Sequence, residues 1–121
     1  MSVLIVENDP SIATLIASIC KYRGWNCESV PDGDAAVARL RRNRYSAIVL
    51  DLMLPRRNGF EVLAFLRAER RAPLKRVVVI TAAEPRTLQA FDSSEIGAML
   101  RKPFEIDDLQ IAIEGALSVE E

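Results

Sequence analysis

The sequence predicts an α/β fold: a doubly wound, five-stranded parallel sheet with strand order 2-1-3-4-5, covered by five helices. Three observations predict it. Val3–Val6, Ala47–Leu50 and Val77–Ile80 are continuous apolar runs rich in β-branched residues, as in strands buried on both faces of a sheet. Segments with helical spacing of apolar residues lie between these runs, so the elements alternate along the chain. The 121 residues suffice for one ordinary domain and hold no repeat, low-complexity segment or linker.

Residues 10–23 carry Ile12, Leu15, Ile16 and Ile19 at helical spacing, and Gly24 supplies a C-terminal stop. A weaker strand follows at Trp25–Val30. The helix Asp34–Asn43 turns Val37 and Leu40 inward and its arginines outward. Phe60–Arg71 carries Val62, Leu63, Phe65 and Leu66, with Pro73 beyond its end. Pro85–Phe91 forms a short helix, Ala98–Arg101 a second weak strand, and Asp107–Leu117 a last helix built on Leu109, Ile113 and Leu117. Right-handed crossovers between successive strands give the doubly wound sheet. With strands 1 and 3 adjacent, a site is expected at their carboxyl ends.

Composition removes several functions. The chain has no histidine, which excludes histidine acid–base catalysis, histidine-ligated zinc and self-phosphorylation on histidine. Cys20 and Cys27 form no CxxC pair, so packing is their expected role. No run of ~18 apolar residues exists and the N-terminus lacks a secretory signal, so no membrane association and a cytoplasmic location are expected. Net charge is −1, yet residues 39–76 hold eleven basic and three acidic side chains, while residues 105–121 hold six acidic and no basic ones. The arginines are spread over helices and loops with few aromatics, which argues for solvated faces and against direct nucleic-acid binding.

Polar groups concentrate where the strands end. Strand 1 runs into Glu7-Asn8-Asp9, strand 3 into Asp51, strand 4 into Thr81, and strand 5 into Arg101-Lys102-Pro103. Clustered oxygen ligands suit Mg²⁺. A carboxylate can attack phosphorus to form an acyl phosphate, while a metal, a lysine and a hydroxyl balance charge on the phosphoryl oxygens. Strand 1 is not followed by GxGxxG, so a dinucleotide site lacks its fingerprint. A dehalogenase-type phosphatase would need a second aspartate two residues after its nucleophile, where Met53 stands.

Val3-Leu4-Ile5-Val6-Glu7-Asn8-Asp9-Pro10, Leu50-Asp51-Leu52-Met53-Leu54-Pro55 with Gly59, Ile80-Thr81-Ala82-Ala83 and Arg101-Lys102-Pro103-Phe104 together resemble the signature of the response-regulator receiver family of two-component signalling, over essentially the whole chain. The resemblance implies a flavodoxin-like receiver fold over residues 1–121, with no output domain present. It also implies a phosphoprotein that accepts a phosphoryl group from a sensor histidine kinase or histidine phosphotransfer protein and catalyses only its own phosphorylation and dephosphorylation. By the same resemblance Asp51 is the phosphoacceptor, and Glu7, position 8, Asp51 and the Met53 backbone carbonyl hold Mg²⁺. Thr81 is the switch hydroxyl, Lys102 contacts the phosphoryl group, and Pro103 supplies a cis peptide. A downstream protein would read the face formed by the fourth helix, fifth strand and fifth helix, with the domain a monomer or weak dimer.

Two positions depart from the family pattern. The second member of the acidic pair, a direct metal ligand in most members, is Asn8, which weakens the expected Mg²⁺ affinity; Asp9 could replace it only through a one-residue shift of the loop. Met99 stands where most members place the Tyr or Phe that turns inward on phosphorylation. These departures favour the alternative of a pseudo-receiver, a phosphorylation-independent interaction module. Intact Asp51, Thr81 and Lys102 oppose it.

Overall fold

The computed structural model describes residues 1–69, 72–83 and 92–120. Its strands are β1 (Ser2–Val6), β2 (Asn26–Val30), β3 (Ala47–Asp51), β4 (Val77–Thr81) and β5 (Ala98–Arg101), and its helices α1 (Pro10–Arg23), α2 (Gly33–Arg42), α3 (Gly59–Glu69) and α4 (Ile106–Leu117). The strands are all parallel in the order β2-β1-β3-β4-β5. The predicted sheet and its order are therefore present. The helix expected over Pro85–Phe91 lies outside the described residues.

Side chains on successive strand residues point to opposite faces, and here both faces are covered. Leu4, Val6, Ile48, Leu50 and Val79 pack with Val37 and Leu40 of α2 and Val62 and Leu66 of α3. Val3, Ile5, Val49, Val78 and Ile80 pack on the other face with Ile16 and Ile19 of α1 and Leu109 and Ile113 of α4. Each such burial contributes about 1.5–3 kcal/mol. β3 and β4, central in the sheet, are buried along their whole length, so two-sided burial accounts for their uninterrupted apolar runs.

The helix ends fix the boundaries. Asp9 caps α1, its Oδ1 accepting from the Ser11 and Ile12 amides at 2.8 and 3.4 Å. Gly24 closes α1 with φ +77°, and the Trp25 amide donates to Cys20 O. Trp25 is thereby spent on the helix cap and β2 starts at Asn26, one residue later than expected. Asp32 caps α2, accepting from the Ala35 amide at 2.8 Å. The cap moves the start of α2 forward to Gly33 and leaves Asn43 outside it, against the expected Asp34–Asn43. Asn58 and Glu61 exchange amide–side-chain bonds of 3.0 and 3.2 Å, a reciprocal capping box that starts α3 at Gly59 where Phe60 was expected. α4 begins at Ile106, one residue before its expected start.

Candidate functional site

The carboxyl ends of β1, β3, β4 and β5 meet at one edge of the sheet, as the strand order requires. Glu7 follows β1 directly and is held there by its amide, which donates to Val30 O at 3.1 Å. Asp51 is the last residue of β3 and pairs with Ile80 of β4. Lys102 follows β5, and its amide donates to Thr81 O at 2.9 Å, carrying the β4–β5 ladder one residue further. The Lys102–Pro103 peptide is cis, as expected at Pro103.

Three of the predicted residues form one charge cluster. Lys102 Nζ lies 2.6 Å from Glu7 Oε1 and 3.0 Å from Asp51 Oδ2. Glu7 and Asp51 are both buried, at 3% exposure each. Burial pushes the Glu7 carboxyl above its ordinary value, against the opposing pull of Lys102. Burial also disfavours the Lys102 ammonium, but the two carboxylates outweigh it and hold the lysine pKa above its ordinary value. The lysine thus supplies positive charge where two carboxylates would otherwise repel each other. Met53 reaches the cluster through its backbone: its amide donates to Asp51 Oδ1 at 2.9 Å, while its side chain is exposed.

The other predicted residues stand apart. Thr81 is buried, and its hydroxyl accepts from the Ala83 amide at 2.9 Å instead of reaching Asp51. Met99 is half-buried against the core shared with α2 and α3. Asn8 is exposed and lines, with Glu7, Pro10 and Ser29, an open groove beside the cluster. Asp9 is committed to the α1 cap, and its amide donates to Glu7 Oε2 at 3.1 Å.

The residues at this edge fit a hard divalent cation in part. Among the described residues, no three His, Cys, Asp or Glu side chains gather as a metal cage. Glu7 Oε1 is nevertheless buried and accepts no hydrogen bond; its close polar neighbour is the Lys102 ammonium, which approaches outside hydrogen-bond geometry. Two carboxylates, one of them with a buried oxygen that accepts no hydrogen bond, would form the nucleus for Mg²⁺ coordination completed by carbonyl, amide and water oxygens.

Sequence reasoning missed the scaffolding around the cluster. A Cβ at Gly59 would stand 2.5 Å from Asp51 O and from Leu52 Cα, so only glycine lets α3 start against the end of β3. Arg56 and Arg57, in the loop between β3 and α3, have φ +57° and +104°. Arg57 Nε donates to Asp34 Oδ1 at 3.1 Å. The capping box at Asn58 could have been read from its spacing, but no sequence signal marks two arginines for positive φ.

The family model of the response regulator receiver domain matches residues 3–114. The chain belongs to the response-regulator receiver family. This receiver domain is 32% identical over 118 residues to the probable transcriptional regulatory protein TcrX of Mycobacterium tuberculosis, covering 97% of this chain and 50% of that protein. It is 31% identical over 117 residues to the DNA-binding response regulator MtrA of Mycolicibacterium smegmatis, covering 95% and 50%. The chain thus spans about half the length of the curated relatives it matches. Among solved structures it is similar to the receiver domain of a Pseudomonas aeruginosa sensor histidine kinase with a magnesium ion coordinated in its active-site cleft, at 28% identity and TM-score 0.79 over 98% of both chains. It is similar also to a Francisella response-regulator receiver domain, at 27% identity and TM-score 0.83, covering 96% of this chain and 95% of that one. Receiver domains are signalling domains that typically bind Mg²⁺ and partner with histidine kinases. No helix among the described residues is long and apolar enough to cross a membrane.

Proposed function

We propose that this receiver accepts a phosphoryl group on Asp51 from a phosphohistidine of a sensor kinase or phosphotransfer protein, and that the aspartyl phosphate changes partner binding. The observation that carries the reading is the convergence of Glu7, Asp51 and Lys102 on one edge of the sheet, with distances of 2.6 and 3.0 Å from the lysine to the two carboxylates.

In this reading an Asp51 carboxylate oxygen attacks phosphorus as the phosphorus–nitrogen bond to the donor imidazole breaks. The Met53 amide fixes the carboxylate plane through Oδ1. Lys102 exchanges part of its contact with Asp51 for a phosphoryl oxygen and so balances the charge that arrives. Glu7, Asp51, the Asn8 side-chain oxygen and the Met53 carbonyl would hold Mg²⁺, which supplies further positive charge against the phosphoryl oxygens when bound. Thr81, one residue beyond the β4 partner of Asp51, would leave the Ala83 amide and donate to the phosphoryl group. That rearrangement would reach Met99 and the face formed by β5 and α4, where a downstream protein would read it. α4 gives this face an acidic bias through Asp107 and Asp108 in its first turn, while Glu114 pairs with Arg23 of α1. The naming of relatives as transcriptional and DNA-binding regulators supports an output in gene regulation through sequence beyond this domain.

The pseudo-receiver reading rests on Asn8 and Met99. Beryllofluoride with Mg²⁺ separates the two. Amide shifts spreading from Asp51 through Thr81 to Met99 are expected; no shifts at all, or shifts confined to the loop after Asp51, would contradict switching.

A further inference from the structure

Asp51 is followed by a seven-residue loop, residues 52–58, before α3 begins at Gly59. Its first half is anchored by Leu52 and Leu54, both buried in the core shared with α2 and α3. Its second half has no buried apolar anchor. Arg56 and Arg57 there adopt consecutive positive φ angles of 57° and 104°, which side-chain-bearing residues adopt only when the surroundings impose them.

The surroundings are the first turn of α2. Gly33 lies against the Arg57 backbone so closely that a Cβ would stand 1.7 Å from Arg57 O. The adjacent Asp34 accepts from Arg57 Nε at 3.1 Å. Asp32, on the other side of Gly33, caps the helix and fixes that turn. One contact therefore seats the Arg57 main chain and the next holds its side chain. The same loop carries Met53, whose amide orients Asp51 Oδ1.

We propose that Gly33 and Asp34 are positioning residues for the phosphoacceptor: they latch the loop through Arg57, and the latched loop holds the Met53 amide against the Asp51 carboxylate. The proposal rests on the receiver reading above for the reaction it serves, but not for the latch itself. Neither residue hydrogen-bonds to Asp51; both act through Arg57. Glycine is required at position 33 by the close approach, and an acid at 34 by the guanidinium.

The test uses Asp34→Ala, Arg57→Gly, their combination, and Asp34→Glu. The Arg57 and Asp34 side chains are 36% and 58% exposed, so these variants leave the core intact, and glycine tolerates the φ of position 57. Amide hydrogen exchange of Met53, referenced to Val49 in buried β3, reads the latch without any phosphoryl donor. Asp51 phosphorylation by acetyl phosphate reads its consequence. Loss of the ion pair is expected to speed Met53 exchange and slow phosphorylation by about two- to fivefold. The two changes combined should lose no more than either alone, and Asp34→Glu should restore both. Unchanged Met53 exchange in Asp34→Ala and Arg57→Gly would overturn the latch, as would faster exchange with phosphorylation at the wild-type rate. If the wild type itself takes no phosphoryl group, the receiver reading fails, and Met53 exchange still decides whether the latch exists.

Discussion

Lys102 Nζ stands 2.6 Å from Glu7 Oε1, across a sheet edge where Glu7 is buried and the lysine is only 16% exposed. The ammonium also reaches Asp51 at 3.0 Å. It supplies the positive charge that offsets both carboxylates. Lys102→Met would leave two buried carboxylates without a cation. A stability loss of on the order of 1–3 kcal/mol follows, measurable by urea unfolding at neutral pH. Millimolar Mg²⁺ should recover part of that loss, and phosphorylation by acetyl phosphate should fall at least about tenfold, the ~1.4 kcal/mol of a single charge-assisted contact.

The registry of the acidic loop leads to a second expectation. Asp9 is engaged at 2.8 Å as the α1 cap, which leaves the uncharged Asn8, exposed beside Glu7 in the groove, as the proposed ligand. Asn8→Asp should tighten Mg²⁺ by roughly ten- to thirtyfold, on the order of 1–2 kcal/mol once desolvation is subtracted from the Coulomb gain. Amide shifts titrated against Mg²⁺ report it directly. Equal affinities for the two proteins would show that position 8 is not a ligand. Asp9→Ala, in contrast, should cost about 1 kcal/mol of stability through the lost cap with Mg²⁺ affinity nearly unchanged.

Gly59 sits where α3 meets the end of β3. Gly59→Ala places a Cβ 2.5 Å from Asp51 O, and backbone cannot give way as a side-chain tip can. A loss of about 1–3 kcal/mol is expected, together with slower phosphorylation, because the displaced atom belongs to the acceptor residue. Denaturation midpoints and acetyl phosphate kinetics on the same preparation check both.

The pH dependence of stability has a definite sign at each end. Burial pushes the Cys20 thiol up to about 12 from an ordinary 9.0, with Cys27 adding to the shift. Between those values the unfolded chain releases a proton that the folded one keeps, so stability falls as pH rises. The pairing of Lys102 is intact below its ordinary 10.5 and is lost as pH rises through its raised folded value, in the same direction. Urea midpoints should therefore drop steadily above about pH 9, and Cys20→Ala should flatten part of that slope. In the acidic range Glu7, raised above its ordinary 4.5 by burial, acts in the same sense: stability falls as pH rises from 4.5 through its folded value, and Mg²⁺, which needs the ionised carboxylate, restores more of it at higher pH.

Much of this molecule could be read from its residues. The runs Val3–Val6, Ala47–Leu50 and Val77–Ile80 announce their strands because helices cover both faces of the sheet, leaving no polar alternation to blur the pattern. Glu7, Asp51 and Lys102 could be placed together because each ends a strand and the strand order follows from the α/β alternation. Boundaries were less legible: Trp25 has the composition of a strand residue but spends its amide on the α1 cap. Gly33 looks like a turn residue, yet it begins α2 behind the Asp32 cap, and its close packing on Arg57, twenty-four positions away, has no local signal. The sequence favours Asn8 over Asp9 at the metal position unless the loop shifts by one residue; the bonds from the Ser11 and Ile12 amides show Asp9 spent on the α1 cap. The positive φ angles of Arg56 and Arg57 carry no sequence signal; Arg57 adopts its angle where it packs on Gly33 of α2.

In the proposed function Asp51 receives the phosphoryl group, and incubation with acetyl phosphate and Mg²⁺ followed by mass-spectrometric mapping of the adduct checks this. A single adduct on Asp51 is expected, dependent on Mg²⁺ and lost in Asp51→Asn. An adduct on another residue of the wild type, or no adduct at saturating Mg²⁺, would contradict it.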